Sequence, residues 1–431
     1  MFMDGDESFD CKSAWYPVFY ERDLDKRRPH RFELLGEPIV LWWDGQWRAF
    51  ADRCPHRLAS LSEGRINEDG NLECPYHGWS FDGEGHCRRI PQQPPDGNAH
   101  TSPRACAQVY ATVVKQGLVF VYGKGGEPGD TALVPIVPTI EEERQDWVLI
   151  DTFRDLPYDA FTLLENVLDS SHLPFTHHKS VGNRANAAPM ELEILESGRS
   201  GFVGFWAEGP RQGKLGSQTT KFVAPNLMWH DLTSKQFGRT LTIVYATPIA
   251  KGKCRLFARF PFKFPSPLPR LVFRLTPRWL SHLGQNAILE DDQIFLHHQE
   301  RYFNGRSREV AKVFYLPTKA DLFVLEFHKW IDRYGVDPFP GQSLPPMQTK
   351  DELLDRYHSH TELCASCRGA LQNIDRIRTV CVVLILLSFV LGLSLPRVGV
   401  TIGLLGFALW YGLGELRTKF YRGRAIPPRN L

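Results

Sequence analysis

Two short segments near the N-terminus carry soft metal ligands in a matched pattern: Cys54-Pro55-His56, and further on Cys74-Pro75-Tyr76-His77-Gly78-Trp79. Each offers one thiolate and one imidazole. A [2Fe–2S] centre with mixed ligation needs that set, a cysteine pair on one iron and a histidine pair on the other. Exchanging two anionic thiolates for neutral imidazoles lowers the charge of such a centre and raises its potential. A Cys2His2 zinc site is the plainer alternative, but zinc fingers and ribbons group like ligands together as C-x2-4-C and H-x3-5-H. Here every loop supplies one of each kind.

A second constellation runs from Glu165 to His177 and reads N-x2-D-x2-H-x4-H. On a helix, Asn166, Asp169 and His172 recur about one turn apart and share a face. Pro174 is expected to break that helix, letting His177 meet His172 at one metal. Two imidazoles plus one carboxylate on an octahedral face leave positions open for O2, as in non-haem Fe(II) oxygenases. A pair of histidines alone is more often structural; the Asn and Asp in register, downstream of a first iron motif, reverse that weighting. His178 breaks the spacing and is left aside. Cys364-Ala365-Ser366-Cys367 reads either as half a zinc site with no second ligand pair nearby in sequence, as an inert pair, or as a redox dithiol whose sulfurs lie one turn apart.

The elements that must position these groups fall into four stretches. Residues 13–125 are rich in aromatic and β-branched residues with turn signals, and predict a small antiparallel β domain that ends near the Gly123–Gly129 break. Residues 140–350 mix strands (Leu241–Ala246, Leu256–Phe262) with helices (Phe161–His172, Ala287–Arg301), hence α+β. Within them, 255–280 reads as a proline-rich loop or membrane-proximal surface, and 336–350 as a linker. Residues 351–378 carry the C-x-x-C. Last come two apolar runs, Thr379–Pro396 and Val398–Gly414, spanning 379–414. Each is roughly 26 Å long as a helix, slightly short of a ~30 Å hydrocarbon core. Arg376 and Arg378 precede the first run; Arg417, Lys419, Arg422 and Arg424 follow the second. A turn at Pro396-Arg397 puts both basic flanks on one side, as a membrane hairpin requires, with the large domains on the cytoplasmic or stromal face. A buried helical pair in a soluble core is the alternative. In a chain of 431 residues with net charge +2, nothing argues for nucleic acid, and 42% hydrophobic with 23% charged residues excludes a mostly disordered chain. Nine cysteines are too few for a disulfide scaffold. The acidic start resembles neither a secretory signal nor a transit peptide.

Cys54-Pro55-His56-Arg57 and Cys74 to Trp79 resemble a Rieske domain, and Asn166 to His177 resembles the catalytic signature of Rieske non-haem iron oxygenases. The order of Rieske loops, facial triad, C-x-x-C and apolar hairpin is similar to the pheophorbide a oxygenase group, which includes translocon-associated Rieske proteins and, more distantly, chlorophyllide a oxygenase. Ser13 to Val18 and Gly182 to Ala187 look like the same group. The resemblance implies an α+β protein: an all-β Rieske domain, a helix-grip catalytic domain with an antiparallel sheet, and a C-terminal membrane hairpin. It implies a [2Fe–2S] cluster on Cys54, His56, Cys74 and His77, and a mononuclear Fe(II) on His172, His177 and a distant carboxylate. That carboxylate is Asp292, with Asp291 as competitor, in an acidic trio that would otherwise read as a helix N-terminal charge cluster. Asp169 would link an iron-ligand histidine to a cluster-ligand histidine of the neighbouring subunit, accepting the His172 N–H and implying a head-to-tail homotrimer. The co-substrate would be O2, the donor a ferredoxin-type protein, and the substrate a lipophilic chlorophyll-derived tetrapyrrole such as pheophorbide a or chlorophyllide a. The membrane would be a cyanobacterial thylakoid or plasma membrane, or a plastid envelope or thylakoid. Alternatives are a redox-sensing protein at a membrane translocon, or an oxygenase of another lipophilic substrate.

Overall fold

The computed structural model describes residues 8–142, 147–234, 238–304 and 310–431. The N-terminal part is built from antiparallel strands in three small sheets. One joins Trp15–Tyr20, Leu118–Tyr122 and Thr112–Lys115; a second joins His30–Leu34, Glu37–Trp43, Trp47–Ala51 and Val109–Tyr110. The third is a set of very short strands between Arg65 and Arg89 that carries the Cys74 loop. Val40, Trp42, Phe50, Leu61, Leu72 and Phe81 pack with Cys54 and Cys74 into one core, so the cluster loops rest on a rigid floor.

The second part is a seven-stranded antiparallel sheet in the order Val148–Leu156, Lys253–Lys263, Gly238–Ala250, Leu227–Ser234, Gln218–Val223, Gly201–Trp206 and Leu192–Gly198. Period-2 alternation sends Leu241, Ile243 and Tyr245 into one core and Val244 and Ala246 into the other. Both faces are therefore covered. The first strand of the N-terminal part docks on this sheet through Asn226 Nδ2 to Trp15 O (2.8 Å), Thr247 Oγ1 to Pro17 O (2.6 Å) and Arg255 Nη1 to Val18 O (3.0 Å).

Three expectations change here. Residues 255–263 belong to a long strand, and Pro267–Leu275 is a helix that Pro267 can start because its first N–H needs no partner. Leu268, Leu271, Val272 and Leu275 line one exposed stripe of it at i, i+3, i+4, i+7 spacing. The long helix runs Arg278–Asn304, so the acidic trio lies mid-helix and is no dipole cluster. Finally, the helix bearing Asn166 covers only Ala160–Leu168; Asp169 leaves the helical region (ψ 95°), and its carboxylate caps the next turn at Ser171 N–H (2.7 Å). His172 ends that turn, and Pro174 begins a further one, Leu173–Thr176, instead of ending a helix.

The C-terminal helices Ala365–Ser394 and Pro396–Tyr421 form an antiparallel pair joined at Leu395. Both are long and apolar enough to cross a membrane, and only 11% of each apolar window is buried, unlike a soluble core pair. Small residues let them touch: a Cβ on Gly399 would lie 2.5 Å from Gly392 Cα. At the end where both basic flanks lie, the two helices are clasped to each other: Arg417 Nε meets Asp375 (2.7 Å) and Arg378 stacks over Trp410 (4.7 Å).

Candidate metal centres

The two loops that carry the Cys–His pairs share one backbone plan. Cys54 N–H donates to Ala59 O (2.8 Å) and Leu58 N–H to Cys54 O (2.9 Å); Cys74 N–H donates to Trp79 O (2.8 Å) and Gly78 N–H to Cys74 O (3.1 Å). The fourth residue after each cysteine must take positive φ, +60° at Leu58 and +72° at Gly78. Glycine suits that backbone; leucine tolerates it at a cost. The cysteines are buried, whereas His56 is exposed and stacks on Trp79 (centroids 4.6 Å, 4°). The His56 and His77 rings stand 4.6 Å apart. His77 Nδ1 is buried with no hydrogen-bond partner among the described residues, a cost of about 1–3 kcal/mol that an iron would remove.

The second centre gathers His172, His177 and Asp292, whose ligand atoms all lie within 4.8 Å of one another. His172 Nδ1–H donates to Asp169 backbone O (2.5 Å), and His177 Nδ1–H to Asp291 Oδ2 (3.3 Å). Both rings therefore present Nε2 to Asp292, His177 at 3.2 Å and His172 at 3.9 Å. Ser180 Oγ holds the Asp291 carboxylate (2.9 Å). Asp292 Oδ1 is buried and finds no donor among the described residues. Burial opposes charge on His177, but Asp291 and Asp292 outweigh it and raise the imidazole to about 9. The pocket is built to hold a cation.

Each group read from the sequence finds a place. Cys54, His56, Cys74 and His77 come together, as do His172, His177 and Asp292. Asp291 faces the back of His177, away from the ligand cluster, and Glu290 turns to the opposite side of the helix between Arg154 (2.8 Å) and Arg356 (2.5 Å). Asp169 does not accept from His172 through its carboxylate, 3.9 Å away; its backbone carbonyl does so, because the carboxylate is used for capping. Asn166 is half-buried in the last turn of its helix. His178 accepts the Arg184 N–H instead (3.2 Å). Three supports had no sequence signal. His230 Nε2–H fixes Val167 O (2.9 Å), Glu300 Oε1 accepts the Asp159 N–H (2.6 Å), and Arg429 in the C-terminal tail donates to Thr176 O (3.3 Å) and Asp291 O (2.5 Å).

The profile of the Rieske [2Fe-2S] domain matches residues 14–114, and that of pheophorbide a oxygenase matches residues 222–309. Over 409 residues the chain is 39% identical to the chloroplastic pheophorbide a oxygenase of Oryza sativa subsp. japonica, covering 87% of this chain and 76% of that protein. The chain belongs to the pheophorbide a oxygenase family of Rieske non-haem iron oxygenases. It is also 34% identical to the chloroplastic flavonoid 8-hydroxylase 2 of Ocimum basilicum, covering 86% of this chain and 76% of that protein. Dicamba monooxygenase bound to dicamba shares the fold (TM-score 0.60, 20% identity, 76% of this chain and 98% of that chain). Like other members of the family, the protein is an oxidoreductase that works with a Rieske cluster, a mononuclear iron and O2. Its two donor sets, each with a buried polar atom left unpaired, fit those cofactors.

Proposed function

We propose that this protein is a membrane-anchored terminal oxygenase that uses O2 and ferredoxin-type electrons to oxygenate a chlorophyll-derived tetrapyrrole of the pheophorbide a or chlorophyllide a kind. The observation that carries the reading is the convergence of His172, His177 and Asp292 in a chain that also holds the Cys54–His56 and Cys74–His77 loops. Bound in these sites, the cluster supplies single electrons and the ferrous ion the reaction with O2. The chain's own groups orient and enclose. Asp169 O and Asp291 hold the two imidazoles in the tautomer that turns Nε2 inward, and Ser180 and Arg429 brace Asp291 from behind.

Electron passage between subunits accounts for several surface features. His56 lies on an exposed tip with Leu58 (71% exposed) and Tyr76 (58%), while Leu173, Phe175 and Val181 form an exposed apolar rim beside the iron site. A head-to-tail homotrimer would seat the tip of one subunit on the rim of the next, next to the Asp169 side chain. The apolar hairpin, its body-side Arg378–Trp410 pair and the exposed stripe of Pro267–Leu275 support attachment to a plastid or cyanobacterial membrane, from which a lipophilic substrate could enter. Phe295, Tyr302, Phe303 and Phe314 line a groove of about 450 Å³ starting one turn beyond Asp292, a surface suited to a flat aromatic substrate.

The test is to incubate the reduced protein and O2 with pheophorbide, chlorophyllide, protochlorophyllide and a flavone in parallel and read product masses. Oxygen incorporation from 18O2 into a tetrapyrrole supports the reading. Incorporation into the flavone alone, or into none of the four, overturns it.

A further inference from the structure

Away from both iron sites, a third set of metal-ligating side chains is closed inside the protein. His282 on the long helix, His360 in the tight turn Tyr357–Thr361, Cys364 capping the first hairpin helix and Cys367 in its first turn have donor atoms that all lie within 4.8 Å of one another. All four side chains are buried. The C-x-x-C is visible in sequence, but its two histidine partners are brought to it only by the fold.

Backbone carbonyls fix both tautomers. His282 Nε2–H donates to Asp151 O (2.9 Å) and His360 Nδ1–H to Phe153 O (2.6 Å), two positions of the strand Val148–Leu156. This leaves His282 Nδ1 and His360 Nε2 as lone-pair donors facing each other at 3.1 Å. Neither has a proton to share with the other, so the contact is repulsive unless positive charge lies beside it. The Cys364 Sγ is 3.4 Å from His282 Nδ1; the Cys367 Sγ is 3.5 Å from that nitrogen and 3.3 Å from His360 Nε2. A tetrahedral zinc with Zn–N of about 2.0–2.1 Å and Zn–S of about 2.3 Å sets N···N edges near ~3.3 Å and N···S edges near ~3.6 Å. The four donors already stand close to those corners.

We infer that His282, His360, Cys364 and Cys367 form a structural Zn2+ site that fastens the hairpin to the catalytic sheet. Binding replaces two thiol protons, released to solvent, by one divalent ion, so the buried site stays neutral overall. Four protein ligands leave no open position, as in structural rather than catalytic zinc. Hydrogen bonds from the far ring nitrogens to carbonyls are the usual support of such histidines. A redox dithiol would need sulfur accessible to a partner thiol; these residues are 0% and 1% exposed. The long helix that supplies His282 reaches Asp292 about 15 Å further on, so the same ion also steadies the helix of the iron site.

Full-length protein purified anaerobically in detergent, with no added metal or chelator, should contain about one zinc per chain in addition to its iron. Absorption at the zinc edge should show two sulfurs at about 2.3 Å and two nitrogens at about 2.0 Å. The Cys364→Ser/Cys367→Ser double variant and His282→Gln should each lose zinc while keeping their iron. If these variants fail to fold, wild-type protein grown with Co2+ should show thiolate-to-cobalt charge transfer and tetrahedral d–d bands. The inference is overturned by wild-type protein without stoichiometric zinc, by a Cys364–Cys367 disulfide, by iron in this site, or by zinc that survives the double substitution. Zinc and iron are counted separately, so failure here is distinct from failure of the oxygenase reading.

Discussion

Glu300 tethers the long helix of the iron site to the start of the motif helix, and its ionisation should make stability depend on pH. Its Oε1 accepts the Asp159 N–H (2.6 Å) and the Thr162 hydroxyl (2.9 Å), and Oε2 meets Arg301 Nη1 (3.2 Å). The Asp159 carboxylate nearby is held by Lys251 Nζ (2.5 Å) and the Gly252 N–H (2.6 Å). Burial and the charge of Asp159 outweigh the hydrogen bonds and Arg301, raising Glu300 from 4.5 to about 7. The folded state therefore binds the Glu300 proton more tightly than the unfolded state. Below the unfolded value both forms are protonated and nothing is lost. Between pH ~4.5 and ~7 the unfolded chain ionises first, and folding stability falls by about 1.4 kcal/mol per pH unit, roughly 3 kcal/mol in all. Glu300→Gln keeps the acceptor oxygen and removes the charge. Between pH 5 and pH 8 the change amounts to about 2.5 kcal/mol, so the difference in Tm between variant and wild type should grow in the variant's favour by about 3 °C for a chain of this length. Thermal unfolding in detergent followed by intrinsic fluorescence at half-unit pH steps measures it. A difference that stays flat across the range would refute the raised ionisation.

The remaining predictions concern the buried charges and the two iron centres. Glu290→Ala strands Arg154, fully buried, and Arg356, and should cost about 3–5 kcal/mol, read as a fall in Tm at pH 7; a change within one degree would show the pair to be dispensable. His172→Ala should leave the reduced cluster's electron paramagnetic signal intact while iron drops from about three to about two per chain and oxygenation stops; loss of the cluster signal would contradict separate sites. Asp291→Asn should weaken iron binding about 10–100-fold through misorientation of His177, measured by titrating apo-protein with Fe(II), and unchanged affinity would remove Asp291 from the site. Asp169→Asn should retain both metals and slow single-turnover oxidation of the cluster, whereas an unaltered rate refutes a role between subunits.

Local chemistry was legible wherever ligands are close in sequence. The Cys-x-His and Cys-x-x-His loops and the His172–His177 spacing fall where the fold gathers them, because a short loop cannot hide which residues it brings together. Asp292 needed a long-range contact, and family resemblance rather than periodicity singled it out. The sharper misreadings share one cause: spacing makes Asp169 a helix residue and composition makes Pro174 a helix breaker, while an Asp can cap and a Pro can start a turn as well as end one. The helix Pro267–Leu275 was hidden in the same way by its prolines. Nothing in the sequence couples Cys364 and Cys367 to His282 and His360, since that meeting depends on how the first sheet strand packs between the long helix and the hairpin.

The first hairpin helix has no joint between its buried start and its exposed apolar length. Cys367, Leu371 and Ile374 are sunk in the catalytic part, and the same unbroken helix continues to Ser394, about 45 Å in all. The returning helix is gripped too, with Arg356 N–H on Tyr421 O (2.9 Å) and the Thr361 hydroxyl on Phe420 O (2.7 Å). Such an attachment behaves as a mast set in a hull and not as a rope. With the apolar pair seated in a bilayer as proposed above, any lean it took up in a thinner or thicker lipid layer would tip the whole protein with it, so lipid thickness itself would set the height at which the iron site faces the membrane.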